Sequence, residues 1–159
     1  MSTRYYIKDY RTNIQWLDNF FLHTKINTLD YKWIFSNLRA NAFKEGKEIA
    51  DSIFYKESFT LTGQELDQLL KEEEVLIMFG VLVAVKEDIS LERTKELPII
   101  EGNPNYWNEN YVSPIKNAIV EFGFFNGEIA ITTENKDMVE MLRKNVSRFP
   151  DLISFREYR

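Results

Sequence analysis

The chain contains no cysteine. That absence excludes disulfide staples, thiol nucleophiles, iron–sulfur clusters and zinc fingers in one step. It has a single histidine, His23, and no glycine-bounded serine for a base to activate. No G-x-G-x-x-G, G-x-x-x-x-G-K-S/T or H-E-x-x-H occurs, so phosphate-cradling loops and zinc hydrolysis lack support. The N-terminal "MSTRYYIKDY" carries no apolar signal core. The most apolar run, Val75–Val85, is about half the roughly 20 residues a membrane-spanning helix needs. No basic stripe is present, which argues against nucleic acid as a partner. A cytoplasmic, non-membrane protein is expected.

What is present is an ordinary globular balance. The 159 residues are 44% hydrophobic and 28% charged, with a net charge of −5, and suit a single domain over 1–159. Aromatics reach 14%, which implies an aromatic-rich core or an aromatic binding surface.

Local signals are uneven along the chain. Residues 4–8, "RYYIK", read as a strand. Thr12 is placed to cap a helix bearing Ile14, Leu17 and Phe21 on one stripe. Tyr31–Phe35 reads as a strand, and residues 36–58 are ambiguous between hairpin and helix, with strands preferred around an "EGKE" turn. In "LTGQEL", Thr62 and Glu65 form a capping box, and Leu61 and Leu66 stand at hydrophobic-staple spacing, so a helix starts at Gly63. Val75–Val85 should be a central strand covered on both faces, with Gly80 as a bulge. Asn126-Gly127 predicts a type I′ hairpin that sets Phe124 opposite Ile129 and Phe122 opposite Ile131. A helix from about Glu134 carries Met138, Met141, Leu142 and Val146, and Leu152–Phe155 forms a last strand. This order implies an α+β fold: a mixed, largely antiparallel sheet with about three helices packed mainly on one face.

Chemistry-bearing residues are sparse. His23, late in the first helix, reads as structural. Asp51, Glu57, Asp67 and Asp88 could contribute to a carboxylate site, but none stands at a ligand spacing. No catalytic residue, metal ligand or cofactor is assigned, and the chain is expected not to be an enzyme. A carboxylate- or metal-dependent enzyme and an oligomerising structural module are the alternatives.

Two features suggest partner binding. Glu72, Glu73 and Glu74 form an acidic cluster at a helix C-terminus, against the helix dipole. They are either a patch for a basic partner or gatekeepers before the apolar run. The segment "EGNPNYWNENYVSP", residues 101–114, places Tyr106, Trp107 and Tyr111 in a long irregular loop. Those rings either lid the core or form a recognition surface.

A small, acidic, cysteine-free α+β chain without catalytic motifs resembles bacterial immunity proteins. That resemblance implies direct binding and neutralisation of a toxin, often a nuclease, and the acidic balance with the aromatic loop would complement a basic toxin domain as partner. The order "YKWIF", "FTLTGQEL", "VLIMFGVLVAV", "NGEIAI" is also similar to small uncharacterised bacterial proteins, over Tyr31 to Val146. No site residue is carried over from either likeness.

Overall fold

Asn126 and Gly127 both adopt positive φ, +52° and +78°, as a type I′ turn requires. They join β6 (Ala118–Phe125) to β7 (Glu128–Thr133), with Phe124 opposite Ile129 and Phe122 opposite Ile131. The computed structural model describes residues 3–9, 14–86, 96–146 and 152–157. The remaining strands are β1 (Thr3–Asp9), β2 (Lys32–Lys44), β3 (Lys47–Glu48), β4 (Phe59–Leu61), β5 (Glu74–Val85) and β8 (Leu152–Glu157). The helices are α1 (Leu17–Thr24), α2 (Gly63–Glu72) and α3 (Lys136–Val146).

The strands build one sheet in the order β3-β2-β5-β6-β7-β1-β8, with β4 also paired to β2. Every recorded pairing is antiparallel, so the expected α+β class holds without the parallel component that "mixed" allowed. β5 lies between β2 and β6, as its apolar run predicts, but the expected cover on both faces holds only from Gly80 to Val85; in its first half Met78 is 46% exposed.

The three helices share one face. Leu17, Phe20 and Phe21 of α1, Leu66 of α2, and Met138, Val139 and Leu142 of α3 join a core with Trp33, Phe35, Phe122, Phe124 and Ile131. Phe20 meets Phe122 and Phe124 edge-on at centroid distances of 4.9 and 5.0 Å, a preferred aromatic geometry. The capping box of α2 forms in full: Glu65 N donates to Thr62 Oγ1 and Thr62 N to Glu65 Oε1. Asn145 Nδ2 donates to the Thr24 carbonyl, tying α3 to the end of α1.

Three local expectations are corrected. α1 begins at Leu17 with Trp16 as its cap residue, so a Thr12 cap does not start it, and Thr12 itself lies outside the described residues. Trp16 instead forms an isolated bridge to Leu76, and Gln15 accepts from Ile77 N; pairing with β5 holds this stretch out of the helix. Residues 36–58 are not all strand: β2 and β3 turn at Glu45-Gly46, and a short 3₁₀ turn follows at Ile53–Tyr55. The irregularity expected at Gly80 belongs to β2, whose register with β5 shifts between Ser36 and Arg39, opposite Gly80. That bulge turns Ser36 and Asn37 toward residues 96–117.

Among the described residues, no helix is long and apolar enough to cross a membrane.

Candidate functional site

The face of the sheet away from the helices is covered by residues 96–117, a strap of irregular chain. Beneath it lies a second apolar cluster of Ile34, Val81, Val83, Val85, Ile100, Tyr106, Ile115 and Ala130. Alternation along β6 and β7 puts Glu121 and Thr132 on the side of the hairpin opposite Phe122, Phe124, Ile129 and Ile131. Both are buried, because the strap closes over them.

Several contacts fix the strap. Ser36 Oγ donates to the Pro98 carbonyl at 2.6 Å. Asn37, at φ +50°, accepts from Ile100 N and Glu101 N at 2.9 and 2.8 Å. Pro104 opens a 3₁₀ turn through Trp107 that drives Tyr106 inward until it is 0% exposed. The Tyr106 ring packs on Gly123, and its hydroxyl donates to Glu121 Oε2 at 2.9 Å.

Arg4 completes this arrangement from β1. Register places Arg4 opposite Thr132, and Thr132 opposite Glu121, so three polar side chains form a row across β1, β7 and β6. Arg4 Nε donates to Thr132 Oγ1 at 3.0 Å. Its Nη1 donates to the carbonyls of Tyr106 and Asn108, the latter at 2.8 Å. Its guanidinium carbon stands 5.0 Å from the Tyr106 ring centre and 4.6 Å from that of Tyr111. A buried cation is thus surrounded by carbonyl oxygens, a hydroxyl and two π faces that replace water.

The electrostatics follow from burial. Loss of solvent raises the Glu121 carboxyl above its ordinary value, against the pull of the Ser113, Tyr111 and Tyr106 hydroxyls and of Arg4. Burial first, then the Glu121 charge, raises both tyrosines, Tyr106 well above the ordinary phenol and Tyr111 likewise. Tyr111 is set beside the same buried carboxyl, and the two groups perturb each other. A carboxyl sealed beneath aromatic rings is out of reach of a substrate in this conformation. Its evident work is to hold the strap.

The three aromatic residues singled out from sequence come together here in different roles. Tyr106 points into the sheet; Trp107 and Tyr111 are half-buried. Trp107 packs edge-on to Phe125 with ring centres 6.4 Å apart, and Phe125 meets Phe79 at 6.1 Å. Ile99 and Val112 on the same strap are 53% and 69% exposed, beside a cleft of about 220 Å³ lined in part by Leu97, Asn103 and Tyr111.

Glu72, Glu73 and Glu74 lie elsewhere, between the end of α2 and the start of β5, along a groove of about 420 Å³ that also touches Phe43 and Leu70. Glu73 accepts from Ser52 Oγ at 2.6 Å and Glu72 from Gln68 Nε2 at 3.0 Å. α2 packs on the helical face, so the triplet and the aromatic strap are served by opposite faces of the sheet. His23 sits in the last turn of α1, its Nδ1 2.8 Å from the Asn19 carbonyl. Asp67 pairs with Lys71 at 3.2 Å, Asp51 and Glu57 are exposed, and Asp88 lies outside the described residues. Among the described residues, no group of three or more His, Cys, Asp or Glu is arranged to hold a metal ion.

Sequence reasoning missed Arg4, Glu121 and Gly123. The signal for Gly123 was a glycine amid the aromatics of "EFGFF", where a strand interior favours side chains unless another group approaches closely. Arg4 and Glu121 gave no local signal, since each reads as the polar position of an alternating strand. No protein-family model matches the chain, and searches of curated proteins and of solved structures likewise find no match.

Proposed function

We propose that the chain is a protein-binding inhibitor of the immunity type, neutralising a basic toxin domain by direct contact through the outer surface of the 96–117 strap. The observation that carries this reading is a half-buried Trp107 packed edge-on to Phe125, which in turn meets Phe79, on a strap that is itself pinned to the sheet. Trp on a rigid support is the residue type most able to concentrate binding energy at an interface. Charge points to the partner: residues 96–117 contain Glu96, Glu101 and Glu109 against Lys116 alone, and all four are exposed. An acidic rim around an apolar anchor complements a basic surface and speeds its association.

Capture followed by function tests the reading. A photo-crosslinking residue at position 112, 69% exposed on the same strap, is used in extract of the source organism, and the captured protein is then produced alone. It should be basic, harmful to cells or active on nucleic acid, and silenced by one equivalent of the chain. Trp107→Ala should weaken that inhibition by about 30-fold or more. A captured protein whose activity is unchanged at saturating chain overturns the inhibitor reading. Full inhibition by Trp107→Ala overturns the strap as its site.

A further inference from the structure

Trp107 stands between two residues whose carbonyl oxygens share one donor. Arg4 Nη1 reaches both the Tyr106 and the Asn108 carbonyls, while Arg4 Nε is held by Thr132 Oγ1. The two contacts link residues 102 and 104 positions apart in sequence, so an N-terminal strand sets the backbone on either side of a ring in the strap.

We infer that Arg4 is a positioning residue: it fixes the backbone at 106–108 so that the Trp107 ring is presented in one orientation before a partner arrives. The role in recognition rests on the binding function proposed above; the positioning itself does not.

The physical case is an asymmetry. Arg4 is 3% exposed, and its charge persists at any accessible pH. A strap conformation that withdrew the two carbonyls would leave a buried cation short of acceptors, and the penalty for an unpaired buried charge far exceeds the worth of the bonds themselves. Alternatives at 106–108 are therefore depopulated. Only a planar fork can satisfy Thr132 with one nitrogen and two strap carbonyls with another while lying near the rings of Tyr106 and Tyr111. Lysine has the charge without the fork. Fixing a recognition ring in advance removes part of the ordering penalty of association.

The test uses the full chain labelled with 5-fluorotryptophan. Its three tryptophans, Trp16, Trp33 and Trp107, give three ¹⁹F lines, and Trp107→Phe assigns the one of interest. Wild type should show one sharp Trp107 line. Arg4→Lys should shift and broaden or split that line while the Trp16 and Trp33 lines stay in place. The same variant should bind the crosslink-identified partner about tenfold more weakly. An unaltered Trp107 line in Arg4→Lys overturns the positioning role, whatever the partner does. An altered line with unchanged affinity overturns its part in recognition and leaves the inhibitor reading to its own assay. Should Arg4→Lys fail to fold, the wild-type Arg4 Nη resonances decide: separate, slowly rotating signals support the contact, and one averaged signal overturns it.

Discussion

The Tyr106 ring occupies the space that a β-carbon on Gly123 would need. An ideal Cβ there would lie 2.3 Å from the tyrosine oxygen and 2.4 Å from a ring carbon. Strap and sheet are therefore matched at a single glycine, and the contact places the phenol against Glu121 on the same strand.

Gly123→Ala should expel Tyr106 and loosen the strap while leaving the helical face intact. Overpacking of this kind costs about 1–3 kcal/mol. Denaturant unfolding should report that loss, together with a changed Trp107 fluorescence. A variant as stable as the parent would mean that strap and sheet are not in this contact.

Tyr106 and Trp107 are adjacent in sequence and opposite in role. Tyr106→Ala removes a fully buried ring and should cost about 3–5 kcal/mol. Trp107→Ala removes a half-buried one and should cost less, about 1–2 kcal/mol. Equal losses in thermal or chemical unfolding would contradict the separation of inward and outward rings.

Glu121 makes stability depend on pH in a direction opposite to that of ion-paired carboxylates. Burial raises its affinity for a proton in the folded state above the ordinary value of 4.5. Its favourable contribution is complete below that ordinary value and is lost as pH rises through the folded-state value. Glu121→Gln lacks this loss. The melting temperature of the variant minus that of wild type should therefore climb as pH rises above 4.5, other carboxylates cancelling in the difference. A flat difference would show that the carboxyl is not desolvated.

At alkaline pH the buried phenols act in the same sense. Tyr106 and Tyr111 hold their protons above the ordinary value of 10.0, through burial first and the Glu121 charge second. Stability from these groups is complete below pH 10 and lost above it, where the unfolded chain ionises and the folded one does not. Absorbance at about 295 nm should show them ionising in step with loss of circular dichroism. Ionisation of every tyrosine before unfolding would exclude the sealed strap.

The turn of the β6–β7 hairpin gives a separate prediction. Gly127 sits at φ +78°, where a β-branched side chain is strained. Gly127→Val should cost about 1–3 kcal/mol, and an unchanged midpoint would contradict the turn geometry.

The sequence by itself determined those elements whose causes lie within a few residues. The Thr62–Glu65 box starts α2 because both partners lie within one helical turn. Asn126-Gly127 sets the β6–β7 register because the turn type fixes which residues face each other. The apolar run from Val75 places β5 in the middle of the sheet, although only its second half, Gly80 to Val85, is covered on both sides. Only the tertiary structure decided which ring of the 101–114 segment turns inward, that the polar side of the hairpin is sealed, and that Arg4 belongs with residues 106–108. Those outcomes depend on complementarity between segments that meet only after folding: a ring against a missing β-carbon, and a buried charge against two distant carbonyls. Periodicity records which face of a strand is apolar. It holds no record of which part of the chain will come to cover the other face.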